Sequence, residues 1–103
     1  MNPQLKKGLL DVCVLSVLNR GESYGYRILK DLSEYIELSE STLYPILRRL
    51  EAAEYLTERS VEHEGRLRKM YSITPAGQQQ LRYFLSDWRE LERIHDFIKE
   101  GIK

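Results

Sequence analysis

The chain has 103 residues, 42% of them hydrophobic and 31% charged, enough for one domain with a real core, and this balance excludes an intrinsically disordered chain. Its 16 Lys and Arg balance 16 Asp and Glu, so overall charge draws it to no nucleic acid, and any such binding must come from cations gathered locally. One cysteine excludes an internal disulfide, and no run approaches the roughly 18 apolar residues of a membrane span.

From Leu5 to Leu18 the apolar residues cover more than one face, as in a helix buried on several sides. Cys13 lies within this run and reads as core packing. Asp11 breaks the apolar stretch and no small-residue cleavage site follows, so no signal peptide is expected and a cytoplasmic location is. Gly21, free to turn left-handed, closes the helix, and Ser23 is placed to cap a second one running to about Tyr35 with Tyr24, Ile28 and Leu32 at helical spacing.

Leu43, Ile46, Leu47 and Leu50 mark one face of a third helix. Pro45 is tolerated only within a first turn, which predicts a start near Ser41 or Thr42. Tyr55 to Val61 and Leu67 to Ile73 carry the β-branched and aromatic residues of two strands. The polar tip His63-Glu64-Gly65-Arg66 between them predicts a hairpin with a loop longer than the tightest two-residue turns. Thr74 caps, and Pro75 opens, a last helix that runs to about Glu100. Its roughly 25 residues would span about 38 Å, longer than the rest of so small a domain is wide, so it must project.

Three helices and a hairpin, in that order, form a winged helix-turn-helix, a mainly α fold with a small β wing (α+β) whose third helix enters the major groove of double-stranded DNA. The division expected is residues 1–75 for the DNA-binding domain and 76–103 for a C-terminal dimerisation helix. On the third helix Ser41, Thr42, Tyr44, Arg48 and Arg49 lie off the core face, where hydroxyls donate to phosphate oxygens and arginine reads guanine or clamps phosphate. The wing adds Arg66, Arg68 and Lys69. Acidic residues crowd Asp31, Glu34, Glu37 and Glu40 instead, so the neutral total can still leave a basic surface, diluted in the wing by Glu58, Glu62 and Glu64. Modest affinity per domain and strong salt dependence follow.

Three segments, Tyr24-Gly25-Tyr26, Ser41 to Glu51 and Arg68 to Gly77, together resemble the PadR-type transcriptional regulators over nearly the whole chain. The resemblance implies that Ser41 to Glu51 is the recognition helix and that the first and last helices build a homodimer, as in the family's small members. One departure is Glu54, where the family usually has glycine.

Along the last helix Leu81, Phe84, Trp88, Leu91, His95, Ile98 and Ile102 alternate at spacings of three and four, a coiled-coil-like seam. Leu81, Trp88, Leu91, His95 and Ile98 are its expected dimer contacts, with His95 a solvated or seam residue rather than a pH switch. Two-fold pairing would set two recognition helices roughly 34 Å apart on a near-palindromic operator. Resemblance to the family's multidrug-sensing branch implies a ligand site for planar aromatic molecules at the dimer centre, with Trp88, Phe84 and Asp87 as its residues. No catalytic constellation, phosphate-cradling loop, metal-ligand spacing or cofactor motif is present. The expected function is a homodimeric DNA-binding regulator, a repressor by the family's habit; the alternative is a dimeric adaptor that binds protein through the long helix.

Overall fold

A computed structural model describes residues 2–102. The elements are α1 (Pro3–Asn19), α2 (Gly25–Leu32), α3 (Glu40–Ala52), β1 (Leu56–His63), β2 (Arg66–Ile73) and α4 (Pro75–Gly101). This is the winged helix-turn-helix with a long last helix.

Helix α1 starts where Asn2 accepts hydrogen bonds from the backbone N–H groups of Gln4 and Leu5, with Pro3 in the first turn. Its buried residues Leu10, Val14, Leu15, Val17 and Leu18 touch every other helix, which makes it the centre of the core. Ile28 and Leu32 of α2, Leu43, Ile46, Leu47 and Leu50 of α3, and Leu56 and Tyr71 at the root of the wing complete that core. Cys13 is half-buried beside it, and burial pushes its thiol up, away from the reactive thiolate. Among the described residues no helix is long and apolar enough to cross a membrane.

Three details differ from the sequence expectation. First, the N-cap position of α2 is Tyr24, not Ser23, and no side chain caps it. Ser23 is drawn into the sheet instead, exchanging backbone hydrogen bonds of 3.1 and 2.7 Å with Tyr71, and its buried hydroxyl has no partner among the described residues. The helix also ends at Leu32 rather than near Tyr35, because the chain must turn there to fold Ile36 and Leu38 back onto the core. Second, α3 begins at Glu40 after Ser39, so Pro45 sits inside the helix. The carbonyl that its missing N–H leaves free is that of Ser41, which lies with Pro45 on the exposed face where water can serve it.

Third, the wing turn is tighter than expected. His63 pairs with Arg66, leaving Glu64 and Gly65 as a two-residue loop. Both have positive φ, 50° and 79°, the pattern of a type I′ turn whose twist matches the strands. The antiparallel register runs from Leu56–Ile73 to His63–Arg66, and only its root is buried. There the desolvated Tyr71 phenol, further opposed by Glu58, is pushed up to about 12.

Two junctions hold the wing in place. Glu54 occupies the left-handed position after α3, with φ 64°. Around it the Tyr55 N–H reaches the Leu50 carbonyl at 2.9 Å and the Glu54 N–H reaches Glu51 at 2.9 Å, a complete Schellman motif. At the far end, the Thr74 hydroxyl accepts from the Gly77 N–H and donates to the Glu54 carbonyl. A Cβ on Gly77 would stand 2.2 Å from the Tyr55 carbonyl oxygen, so only glycine lets α4 leave this close to the wing.

Candidate nucleic-acid interface

Helix α3 presents three faces. Its core face is the row Leu43, Ile46, Leu47 and Leu50. Opposite, and exposed, stand Ser41, Pro45 and Arg48; the 100° step per residue puts Tyr44 on one flank and Thr42 with Arg49 on the other. At the N-terminus the Ser39 hydroxyl lies 3.0 Å from that of Ser41 and 3.1 Å from that of Thr42, a cluster of donors at the positive end of the helix.

On the Tyr44 flank the structure gathers most of the predicted residues. Tyr44, Arg66, Arg68 and Lys69 line one open cleft of about 690 Å³ between α3, the start of α2 and the wing. Tyr44 reaches it across Gly25, where an added Cβ would meet the phenol oxygen at 2.7 Å. The Arg68 guanidinium lies 3.9 Å above the Tyr24 ring, a cation–π contact that fixes its direction. Lys69 approaches Glu58 at 3.7 Å on the neighbouring strand, and Arg66 stands at the turn opposite His63. Arg48 is near enough to Tyr71 to act on its phenol, so it belongs to this side. At the tip Leu67 is 80% exposed between two arginines.

Arg49 is placed elsewhere. It donates to Asp11 of α1, on the opposite flank with Thr42, so its charge is paired within the domain. The sequence pattern assigns no binding role to Tyr24 and Tyr26, which help line the cleft, although Tyr24-Gly25-Tyr26 is visible as a motif. It also missed the clamp at the wing root. There Arg59 donates to both oxygens of Glu22 at 2.7 and 2.6 Å, with the Ser72 hydroxyl on the same carboxylate at 3.2 Å. The hydrogen bond from Arg59 holds the Glu22 carboxyl below the usual carboxylate range.

Helix α4 behaves differently along its length. Leu81 and Phe84 are partly buried at its root, but every residue from Leu85 to Ile102 is exposed. Leu91, Ile98 and the 45%-exposed Trp88 lie in that open stretch, and Tyr83, Leu85, Ile94 and Phe97 widen the apolar surface beyond one seam. Phe84 and Trp88 have ring centroids 6.0 Å apart at 33°. Asp87, the residue before Trp88, points a quarter-turn away; the carboxylate that reaches the indole N–H is Glu92, at 2.7 Å. His95 faces Asp96 at 3.4 Å.

The model of the PadR-like family of transcriptional regulators matches residues 14–83, from the centre of α1 through the wing to the root of α4. The chain belongs to the PadR family. It is 30% identical to an uncharacterised protein of Lysinibacillus sphaericus across 94% of each chain, and 32% identical to the negative transcriptional regulator PadR of Bacillus subtilis, of whose length it spans only about half, 51%. Its fold superposes on a PadR-like transcription factor of Bacteroides fragilis with a TM-score of 0.83 at 33% identity, covering 92% of this chain and 94% of that one. It also superposes on Bacillus subtilis PadR in complex with operator DNA, with a TM-score of 0.71 at 28% identity, over 75% of this chain and 46% of that one. As a PadR-family member the protein is a transcriptional regulator with a DNA-binding winged-helix fold, not an enzyme.

Proposed function

We propose that this PadR-family regulator is a homodimeric repressor acting in the cytoplasm on a near-palindromic operator. Residues 1–75 read the DNA and residues 76–103 pair two copies. The observation that carries the dimer is the open half of α4, where Trp88, Leu91, Ile94, Phe97, Ile98 and Ile102 are 45–80% exposed in a stretch that, among the described residues, stays exposed from Leu85 onward. So large an apolar face marks an interaction surface, because a helix in a protein takes most of its stability from packing its amphipathic face. The seam spacing fits a second copy of the same helix.

Within each copy, Ser41, Thr42, Tyr44 and Arg48 of α3 contact the major groove, Arg49 assists from the Asp11 flank, and Arg66, Arg68 and Lys69 of the wing contact the adjoining backbone. Leu81, Trp88, Leu91, His95 and Ile98 form the dimer seam. Repression is favoured by the name of the Bacillus subtilis relative, a negative regulator. A planar aromatic molecule stacking on Trp88, beside Phe84 and within reach of Asp87, would alter the spacing of the two reading heads and so release the operator.

The test is a gel shift with the DNA upstream of the protein's own gene, paired with sedimentation of the free protein. Retarded bands that weaken steeply with salt, and a dimer in the centrifuge, are expected. Absence of retardation at low salt rejects the reading and leaves the adaptor alternative. Quenching of the single tryptophan by planar aromatic compounds, accompanied by loss of the shifted band, tests the ligand step; a silent Trp88 across a varied panel removes it.

A further inference from the structure

A recognition helix in a major groove about 12 Å wide has a phosphate backbone along each of its flanks. The wing and α2 supply cations and aromatics on the Tyr44 flank only. On the opposite flank α3 shows Thr42 and an Arg49 already matched by Asp11, which leaves that wall without free positive charge of its own.

The start of α1 comes alongside there. Lys6 and Lys7 share with Thr42, Ser39 and Arg49 the rim of a second cleft of about 600 Å³, whose floor includes Leu10 and Ile46. Its rim carries one carboxylate, Glu37, against the two lysines and an Arg49 already paired with Asp11. Among the described residues neither lysine makes an ion pair. Their helix starts at the Asn2 cap and is anchored in the core by Leu10, so their backbone is placed beside α3 and the long side chains can reach outward from it.

We infer that Lys6 and Lys7 form a second phosphate-contacting wall, opposite the wing, so that the DNA is gripped on both sides of α3. The occupant is the DNA backbone, because the lysines are continuous with the Ser39, Ser41 and Thr42 hydroxyls at the N-terminus of α3 and their charge complements phosphate. The inference rests on α3 being the reading helix. It also explains how a chain with no net charge could hold DNA: cations from α1, 60 residues before the wing in sequence, join the wing's around one helix.

Backbone contacts carry no sequence information, so a mixed-sequence DNA duplex is a sufficient probe. Binding of the full chain is followed by fluorescence anisotropy between about 50 and 200 mM salt, for the wild type, for Lys6→Gln with Lys7→Gln, and for Arg66→Gln with Lys69→Gln. The α1 pair should make the logarithmic salt slope shallower by about 2, a loss of roughly tenfold in salt sensitivity over that range. Thermal unfolding and the preference for the gene's own upstream DNA over the mixed duplex should stay unchanged. An unaltered slope in the α1 variant, while the wing variant's slope falls, overturns the second wall and leaves α3 as the reader. Failure of the wild type to bind either duplex at low salt overturns both.

Discussion

The chain before Phe84 and the chain after it place the same kinds of residue in opposite surroundings. In the winged domain Val14, Ile28 and Leu43 have no exposed surface at all, and each apolar row meets another. In the open half of α4, Leu91 and Ile98 are more than half exposed and Phe97 is 77% exposed, with no apolar row packed on them among the described residues. The first region is stabilised by its own packing. The second is a helix whose apolar surface stays open among the described residues, so its sequence pattern is as regular as a core's while its structure is not a core.

The sharpest way to break that comparison is to truncate one residue from each side. Leu43→Ala should cost about 2–5 kcal/mol, because the site is fully buried between helices that cannot collapse around the cavity. Urea unfolding would show it at any protein concentration. Ile98→Asp, by contrast, should leave the winged domain folded and shift the protein to monomer in sedimentation, lowering DNA affinity with it. If Ile98→Asp instead unfolds the domain as Leu43→Ala does, the two regions are one cooperative unit and the contrast fails.

Where the regions meet, Gly77 sets the angle. Gly77→Ala drives a methyl into the Tyr55 carbonyl and the Ile73 side chain, and the backbone oxygen cannot swing aside as a side chain would. A loss of about 1–3 kcal/mol is expected. Gly25→Ala is the control, since its Cβ meets only the movable end of Tyr44. Equal melting temperatures for the two variants would show that α4 pivots freely.

These cases show what the residues could announce in advance. Periodicity exposed α1, α3 and α4, and the Thr74-Pro75 start was visible because capping is local. Boundaries set by distant partners were not. Ser23 looks like a cap, but its backbone is claimed by Tyr71, far along the chain; Pro45 looks like a helix start, but an exposed face lets a helix run through it. The cleft was half visible: Tyr44, Arg66, Arg68 and Lys69 do converge, whereas the pairing of Arg49 with Asp11 and the approach of Lys6 and Lys7 to α3 depend on a helix crossing that no local pattern encodes. Glu92 on Trp88 was in reach of the i, i+4 rule.

A smaller effect tests the turn that begins the wing. Glu54 holds a left-handed φ that costs an L-residue about 1–2 kcal/mol, and it does so in a Schellman motif whose hydrogen bonds are already made. Glycine would relieve that cost but loses about 0.5–1 kcal/mol through the freer unfolded chain. Glu54→Gly should therefore stabilise the protein by about 0.5–1 kcal/mol, seen as a raised Tm, and an unchanged or lowered Tm would falsify the strain argument. The gain belongs wholly to the winged domain, so DNA binding and the proposed α4 dimer should not move.

The smallest expected effect is in the clamp that ties the α1–α2 loop to the wing. The two hydrogen bonds from Arg59 favour the ionised form of Glu22, so its folded-state pKa lies below its unfolded one. Such a group adds stability that is present above the unfolded carboxylate pKa and is lost as pH falls through the folded one. The clamp is solvent-exposed, so salt should weaken it. Comparing the wild type with Glu22→Gln across the acid limb, the stability difference should be constant near neutrality and shrink below about pH 4. The amide can still accept from Arg59, which isolates the charge. If the difference holds its size at low pH, Glu22 stabilises the wing through geometry alone, and the wing's position beside α3 is fixed by Tyr71, Thr74 and Gly77 without help from this ion pair.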